Sequence, residues 1–258
     1  MKGHVQNLYR YPVKGLSADL LKTVALSRGL GFPMDRAFGF ARPDSGFDPS
    51  NPKPLPKTKF VMLAREEKLA LLRSHFDEET GVLSISHEGQ SVSADITTHE
   101  GREKASRFLA ESLDIPHDQR PTLQSAGPHR FTDVSVVSPE MMNAVSLINI
   151  DSVAHFSKAI GQTVDPARFR GNILFSGFSP FSELDLVGRR IAIGQITLKV
   201  VLRTKRCPAT EVNLLSGARD LDTPRLLREN FGHSDMGVYA EIETSGTLSV
   251  GDEVRIID

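Results

Sequence analysis

The apolar residues of this chain fall in short runs cut by turn residues, and this pattern constrains the fold more than any other feature. Residues 4–11 and 20–26 read as strands flanking a loop at Pro12–Ser17, and residues 38–41 form another short run. Residues 43–59 carry five prolines and no apolar period, which marks a loop. Residues 69–76 stay open between strand and helix, because Glu, Ala and Leu favour the helix locally. Residues 77–81 form a hairpin turn into a strand at 82–85. The clearest helix spans 97–113, where Thr97 and Glu100 have capping-box spacing and Ala105, Phe108, Leu109 and Leu113 share one face.

Residues 116–128 are polar and proline-rich and suggest a boundary, giving domains at 1–115 and 129–258 joined by a linker. The second unit opens with strands at 134–137 and 145–148. Asp151 is then expected to cap a helix that Gly161 closes. Strands follow at 173–175 and 191–202, the latter turning at Gly194 and Gln195. Asp222, Thr223 and Pro224 open a helix ending at Gly232. The tail reads as a β-hairpin, with a strand at 238–243, a turn at Ser245 and Gly246, and a strand at 248–257 interrupted at Gly251. The fold class expected is α+β and β-rich: two β-barrel-like domains with a few short helices, not a doubly wound parallel sheet.

Charge removes whole function classes. Of 258 residues, 31 are Lys or Arg and 32 are Asp or Glu, a formal net charge of -1. A nucleic-acid or membrane-surface binder needs a basic excess, so neither partner is expected, although a balanced total can hide a local basic pocket. No apolar stretch approaches the roughly 20 residues of a membrane helix. The 1 cysteine, Cys207, forbids an intrachain disulfide or a cysteine-rich cluster, and its compartment is expected to be reducing and cytoplasmic. The histidines show no metal-ligand spacing. Gly29 and Gly31 begin a dinucleotide fingerprint that Met34 breaks. His233, Ser234 and Asp235 are consecutive and cannot converge on one reacting carbon.

Two polar clusters remain. Cys207 follows Arg203, Lys205 and Arg206, whose charges favour the thiolate, the form that acts as nucleophile or metal ligand. Arg168, Arg170 and Asn172 precede an apolar strand. Taken singly, each fits a bland role as a buried small side chain or a surface arginine pair.

Their order is more informative. Tyr11, Pro12, Val13, Lys14 and Gly15 come first, then Asp35, Arg36 and Phe38, then residues 168–173. Arg206, Cys207, Thr210 and Val212 follow, then Phe231 and Gly232, then Val250, Gly251, Asp252 and Val254. This succession resembles the MOSC superfamily, the molybdenum-cofactor-sulfurase C-terminal domain proteins, with their companion N-terminal β-barrel domain. The layout is similar to the amidoxime-reducing component and its bacterial counterparts. The resemblance implies a molybdenum–molybdopterin cofactor between the two domains, with Cys207 as metal ligand and, with Asn213, as catalytic residue. It implies cofactor contacts from Lys14, Arg36, Ser152, Arg170, Asn172, Arg206 and Tyr239, and no pyridoxal phosphate. Guanidinium forks suit phosphate, and soft sulfur suits molybdenum.

The chain departs from the family pattern at Gly15, where a serine is common, and at Asn213 and Leu214, where Asp and Pro are common. The expected activity is reduction of a small N-hydroxylated substrate. One cysteine cannot hold a fused ferredoxin cluster, and only ten residues precede Tyr11, so a separate iron–sulfur or flavin electron donor is expected. The alternative is a molybdopterin carrier or a Cys207-based sulfur-transfer module. A third reading keeps the fold as an interaction scaffold with an empty cleft.

Overall fold

A computed structural model describes residues 2–258. In chain order the strands are β1 (Lys2–Arg10), β2 (Asp19–Leu21), β3 (Thr23–Leu26), β4 (Phe38–Ala41), β5 (Arg73–Asp77), β6 (Val82–His87), β7 (Gln90–Asp95) and β8 (Thr122–Ser125). Then come β9 (Val145–Asn149), β10 (Ile173–Ser176), β11 (Arg190–Ile193), β12 (Ile196–Lys205), β13 (Asp235–Ile242), β14 (Gly246–Ser249) and β15 (Glu253–Ile256). The helices are α1 (His99–Ser112), α2 (Pro139–Met142), α3 (Ile150–Ile160) and α4 (Thr223–Phe231).

The largest sheet runs β10-β9-β13-β12-β11-β15-β1-β2, and a β10–β1 pairing closes seven of these strands into a barrel. Closure leaves the ring without an open edge. All its ladders are antiparallel except β10–β9. Alternation fills the interior: Val5 and Leu8 from β1 meet Ile193, Leu198, Val200 and Val254 in one buried cluster. A second cluster lies among β4, β8, the β5-β6-β7 meander and α1, built on Phe40, Leu72, Leu83, Ile85 and Leu109. Helices α3 and α4 cover the barrel through a third, with Phe156, Phe169 and Leu227.

The β-rich architecture is the one the sequence implies, and several local expectations need correction. The run at 20–26 breaks at Lys22: β2 pairs with β1 at the rim of the barrel sheet while β3 pairs with β14. The ambiguous 69–76 segment is both elements, a 3-10 turn at Glu67–Leu71 and then β5. The serine-rich strand β7, which pairs with β6 and buries Val92 and Ala94, was not foreseen because serines mask its alternation. The cap of α1 is Thr98, whose hydroxyl accepts from the Gly101 amide; Thr97 instead bonds Asp95.

Residues 134–137 form turns, not a strand. The Val137 amide folds back onto the Val134 carbonyl, and Val136 and Val137 are 52% and 61% exposed. Asn149, not Asp151, caps α3, while the Asp151 carboxylate accepts from the Gly177 amide at 2.6 Å. The tail is no hairpin, because both edges of β13 are taken by β12 and β9. Its later strands go elsewhere, β14 to β3 and β15 to β11 and β1.

The strand pairings also cross the sequence division. β1, from the start of the chain, lies in the barrel with the C-terminal strands, β2 pairs alongside it, and β8, from within 116–128, pairs with β4.

Candidate functional site

A cleft of about 330 Å³ opens where loops after β1, β3 and β4 face the ends of β9, β12 and β13. The framework beneath it begins at Tyr11, just past the end of β1. The Tyr11 amide donates to Asp35 Oδ1 at 2.8 Å, and the Arg36 amide donates to the Tyr11 carbonyl at 2.7 Å. The Lys14 amide donates to the Phe38 carbonyl and the Phe38 amide to the Pro12 carbonyl, so the two loops act as one unit. The buried Asp35 carboxylate also pairs with the Arg36 guanidinium. Arg36 Nη2 donates to the Arg170 carbonyl at 3.0 Å, and Arg170 Nη2 donates to the Leu16 carbonyl at 2.9 Å. Both guanidinium carbons lie over the Tyr11 ring, at 4.5 Å for Arg36 and 4.3 Å for Arg170.

Arg36 and Arg170 both sit in the left-handed region, at φ 47° and 52°. Non-glycine residues held there are under backbone strain, and such strain gathers at functional sites. Arg170 terminates the 3-10 turn Pro166–Phe169, and Gly171 beside it is needed for close approach, since a Cβ there would lie 2.4 Å from Ile148 Cγ1.

The opposite wall is the end of β12. Arg206 Nε and Nη1 donate to the Met236 and Phe169 carbonyls, each at 2.8 Å, and its guanidinium faces the Phe169 ring at 5.3 Å. Cys207 follows, half-buried, and its carbonyl accepts from both the amide and the hydroxyl of Thr210. Above it, Asp133 bridges two ammonium groups. Its Oδ2 accepts from Lys57 Nζ at 3.0 Å, its Oδ1 pairs with Lys14, and Lys14 also donates to the Phe131 carbonyl at 3.0 Å. Lys57 is near enough to Cys207 for the sulfur to help hold its charge.

Electrostatics divides these groups. Burial works against ionised Asp133, yet Lys14 and Lys57 hold its carboxyl well below the usual range. Burial also works against Lys57, but Asp133 and then Cys207 raise its pKa above the ordinary value. Lys14 goes the other way, lowered because burial outweighs Asp133. Burial brings Arg170 and Arg206 down to about 10, for neither has a carboxylate partner among the described residues. Burial pushes Tyr11 up to about 12 and raises Tyr239.

Lys14, Arg36, Lys57, Arg168, Arg170, Arg203, Lys205 and Arg206 line the cleft against only Asp35 and Asp133. Two desolvated guanidinium groups without a carboxylate partner among the described residues give the cleft around the thiol the chemistry that suits an anion.

Seven of the residues singled out in the sequence meet here: Lys14, Arg36, Arg170, Asn172, Arg206, Cys207 and Tyr239. Asn172 is 2% exposed, and both its side-chain polar atoms already bond backbone, Oδ1 from the Ser146 amide and Nδ2 to the Tyr9 carbonyl. Two residues lie elsewhere. Ser152 is fully buried under α3, donating to the Glu183 carboxylate at 2.9 Å and accepting from the Phe181 amide. Asn213 closes a turn, accepting from the amides of Leu215 and Ser216 and donating to Asp220 Oδ2 at 2.7 Å. It touches the cleft only indirectly, since Asp220 pairs with Arg168. Lys57 and Asp133 were missed: one lies in the proline-rich loop, the other immediately before the segment read as a strand at 134–137, and neither carries a local signal.

Comparison with known proteins gives the family. The chain is 23% identical over 98% of its length to mitochondrial amidoxime reducing component 2 of Bos taurus, of which it covers 82%. It is 25% identical over 91% of its length to the molybdenum cofactor sulfurase of Caenorhabditis elegans, of which it covers 33%. Among solved structures, the YUAD protein of Bacillus subtilis matches 98% of this chain and 94% of its own at 14% identity and a TM-score of 0.46. The family model of the MOSC N-terminal beta barrel domain matches residues 2–119 and that of the MOSC domain matches residues 126–255, so the chain belongs to the MOSC domain family.

Proposed function

We propose that the cleft binds a molybdenum–molybdopterin cofactor with Cys207 as the metal's protein thiolate, and that the loaded protein is a reductase of small N-hydroxylated molecules. The observation that carries this reading is a half-buried thiol in a cleft lined by eight cations and two carboxylates. The fit follows from the donor set: a phosphate-bearing, sulfur-ligated group offers the anionic charge that Arg170 and Arg206 lack and the soft metal that a thiolate prefers. The relatives named for amidoxime reduction and for the molybdenum cofactor support the same reading.

When bound, the cofactor would supply the two-electron redox chemistry that reductive cleavage of an N–O bond requires. The net change consumes two electrons and two protons and releases an amine and water, and the electrons come from a separate iron–sulfur or flavin protein. Arg36 and Arg170 hold the anionic end of the cofactor, kept in place by Tyr11 and by their bonds to backbone carbonyls. Arg206 orients the Cys207 segment by fastening it to Met236 and Phe169. Lys57 keeps its proton and places a fixed positive charge beside Cys207, while the ionised Asp133 anchors it.

The test is molybdenum and pterin content of protein made in a molybdate-fed host with cofactor synthesis intact. Near-stoichiometric metal and pterin, with metal lost in Cys207→Ser and reductase activity lost in Cys207→Ala, is the expected result. Retained N-reductase activity in Cys207→Ala overturns it. The sulfurase relative and the accessible thiol favour a second reading, a cofactor carrier or sulfur-transfer module. Pterin without metal, or a persulfide on Cys207 detected by intact mass with and without reductant, would favour it.

A further inference from the structure

A second cavity, of about 310 Å³, lies beside the cleft, and Gly15, Leu63 and Arg170 belong to both walls. This is roughly twice the 150 Å³ cavity that holds one benzene ring in an engineered protein core, so it admits a body of about ten heavy atoms. Leu16, Leu69 and Leu214 give it apolar walls, and the rings of Tyr9 and Tyr11 line another side, their centroids 6.5 Å apart.

Gly15 keeps the partition thin. Its φ is +87°, a Cβ there would stand 3.1 Å from Leu69 Cδ1, and it is also one of the positions where the sequence leaves its family's pattern, as is Leu214.

Charge selects the ligand. Arg73 and Arg170 line the cavity, and no carboxylate does among the described residues. Arg170 is fixed by the Leu16 carbonyl and the Tyr11 ring. Arg73 is exposed, and its Nη1 reaches the Ala70 and Leu214 carbonyls only at 3.4 Å, near the limit of a hydrogen bond. Its guanidinium is therefore available to a carboxylate, which it can take through two parallel bonds.

We propose that this cavity is a binding site for a small monoanionic molecule with an apolar body, the body against Leu16, Leu69 and Leu214 and the carboxylate on Arg73. The site stands on its own walls, whether or not the neighbouring cleft carries a cofactor.

Calorimetric titration of the full chain with 3-phenylpropionate tests it, with inorganic pyrophosphate present to occupy the cationic cleft. Wild-type protein should bind the acid. Arg73→Gln should weaken the acid about tenfold and leave the neutral 3-phenylpropionamide unchanged, while Leu214→Trp should weaken both at least tenfold. Arg73 is exposed, so its variant remains informative if Leu214→Trp does not fold. Absence of binding to wild-type protein with pyrophosphate present, or binding that Arg73→Gln leaves unchanged, overturns the proposal.

Discussion

The two walls of the cleft are built by opposite means. On one wall, Lys14, Arg36 and Lys57 come from irregular segments, and each is paired with a carboxylate, Asp133 or Asp35. On the other, Arg170 and Arg206 flank strands of the closed barrel and bond only carbonyls and aromatic faces. The first wall sets three cations against two carboxylates and is held by ion pairs; the two arginines of the second have no carboxylate partner among the described residues and are held by carbonyls and rings. On the proposed reading, an anion would be held mainly by the second wall, because charge already paired has less to offer a ligand.

The sharpest way to break this comparison is Arg206→Met. It strands the Met236 and Phe169 carbonyls without their donor, and the protein should lose about 3 kcal/mol in urea unfolding. Unchanged stability would mean that Arg206 waits for a ligand and does not hold the fold. Next in size is ligand affinity. Arg170→Gln should weaken pyrophosphate binding about tenfold by calorimetry, whereas Lys57→Gln should weaken it less than about threefold, since Asp133 already balances Lys57. Equal losses would erase the distinction between the walls.

The same contrast has a pH signature. Burial lowers Arg170 and Arg206 to about 10, so pyrophosphate affinity should fall as pH rises from 9 to 11, once the ligand's own ionisation is allowed for. The smallest effect lies on the first wall. The folded carboxyl of Asp133 titrates below its unfolded value, so its contribution to stability is complete above the ordinary carboxylate pKa of roughly 4 and is lost as pH falls below it. The side chain is 43% exposed, so solvent screening limits that contribution to about 1 kcal/mol or less. Asp133→Asn should flatten the acid limb of the stability curve by that amount.

Legibility followed distance along the chain. Strand β4, the turn between β11 and β12, and α4 with its Asp222 cap and Gly232 end were readable because their signals lie within a few residues. The caps of α1 and α3 slipped by one and two residues, since neighbouring Thr97 and Thr98, or Asn149 and Asp151, are chemically equivalent candidates. Cys207 stood out as the only cysteine, and the arginines around it by their ordered spacing. Ser152 and Asn213 lie outside the cleft, because a hydroxyl or an amide serves a hydrogen-bonded network as readily as a ligand. Glu183 claims the first and the 213–217 turn the second.

The sequence by itself determined the β-rich class, the membership of the MOSC domain family and the lone thiol among cations. Those rest on composition, punctuation and ordered motifs, which local chemistry fixes. Only the tertiary structure decided that β1 closes the barrel against β10, that β3 pairs with β14 across the whole chain, and that Lys57 and Asp133 meet above Cys207. Such contacts join segments far apart in sequence. Which of them form is set by strand register, edge availability and packing, quantities that no short stretch of residues contains.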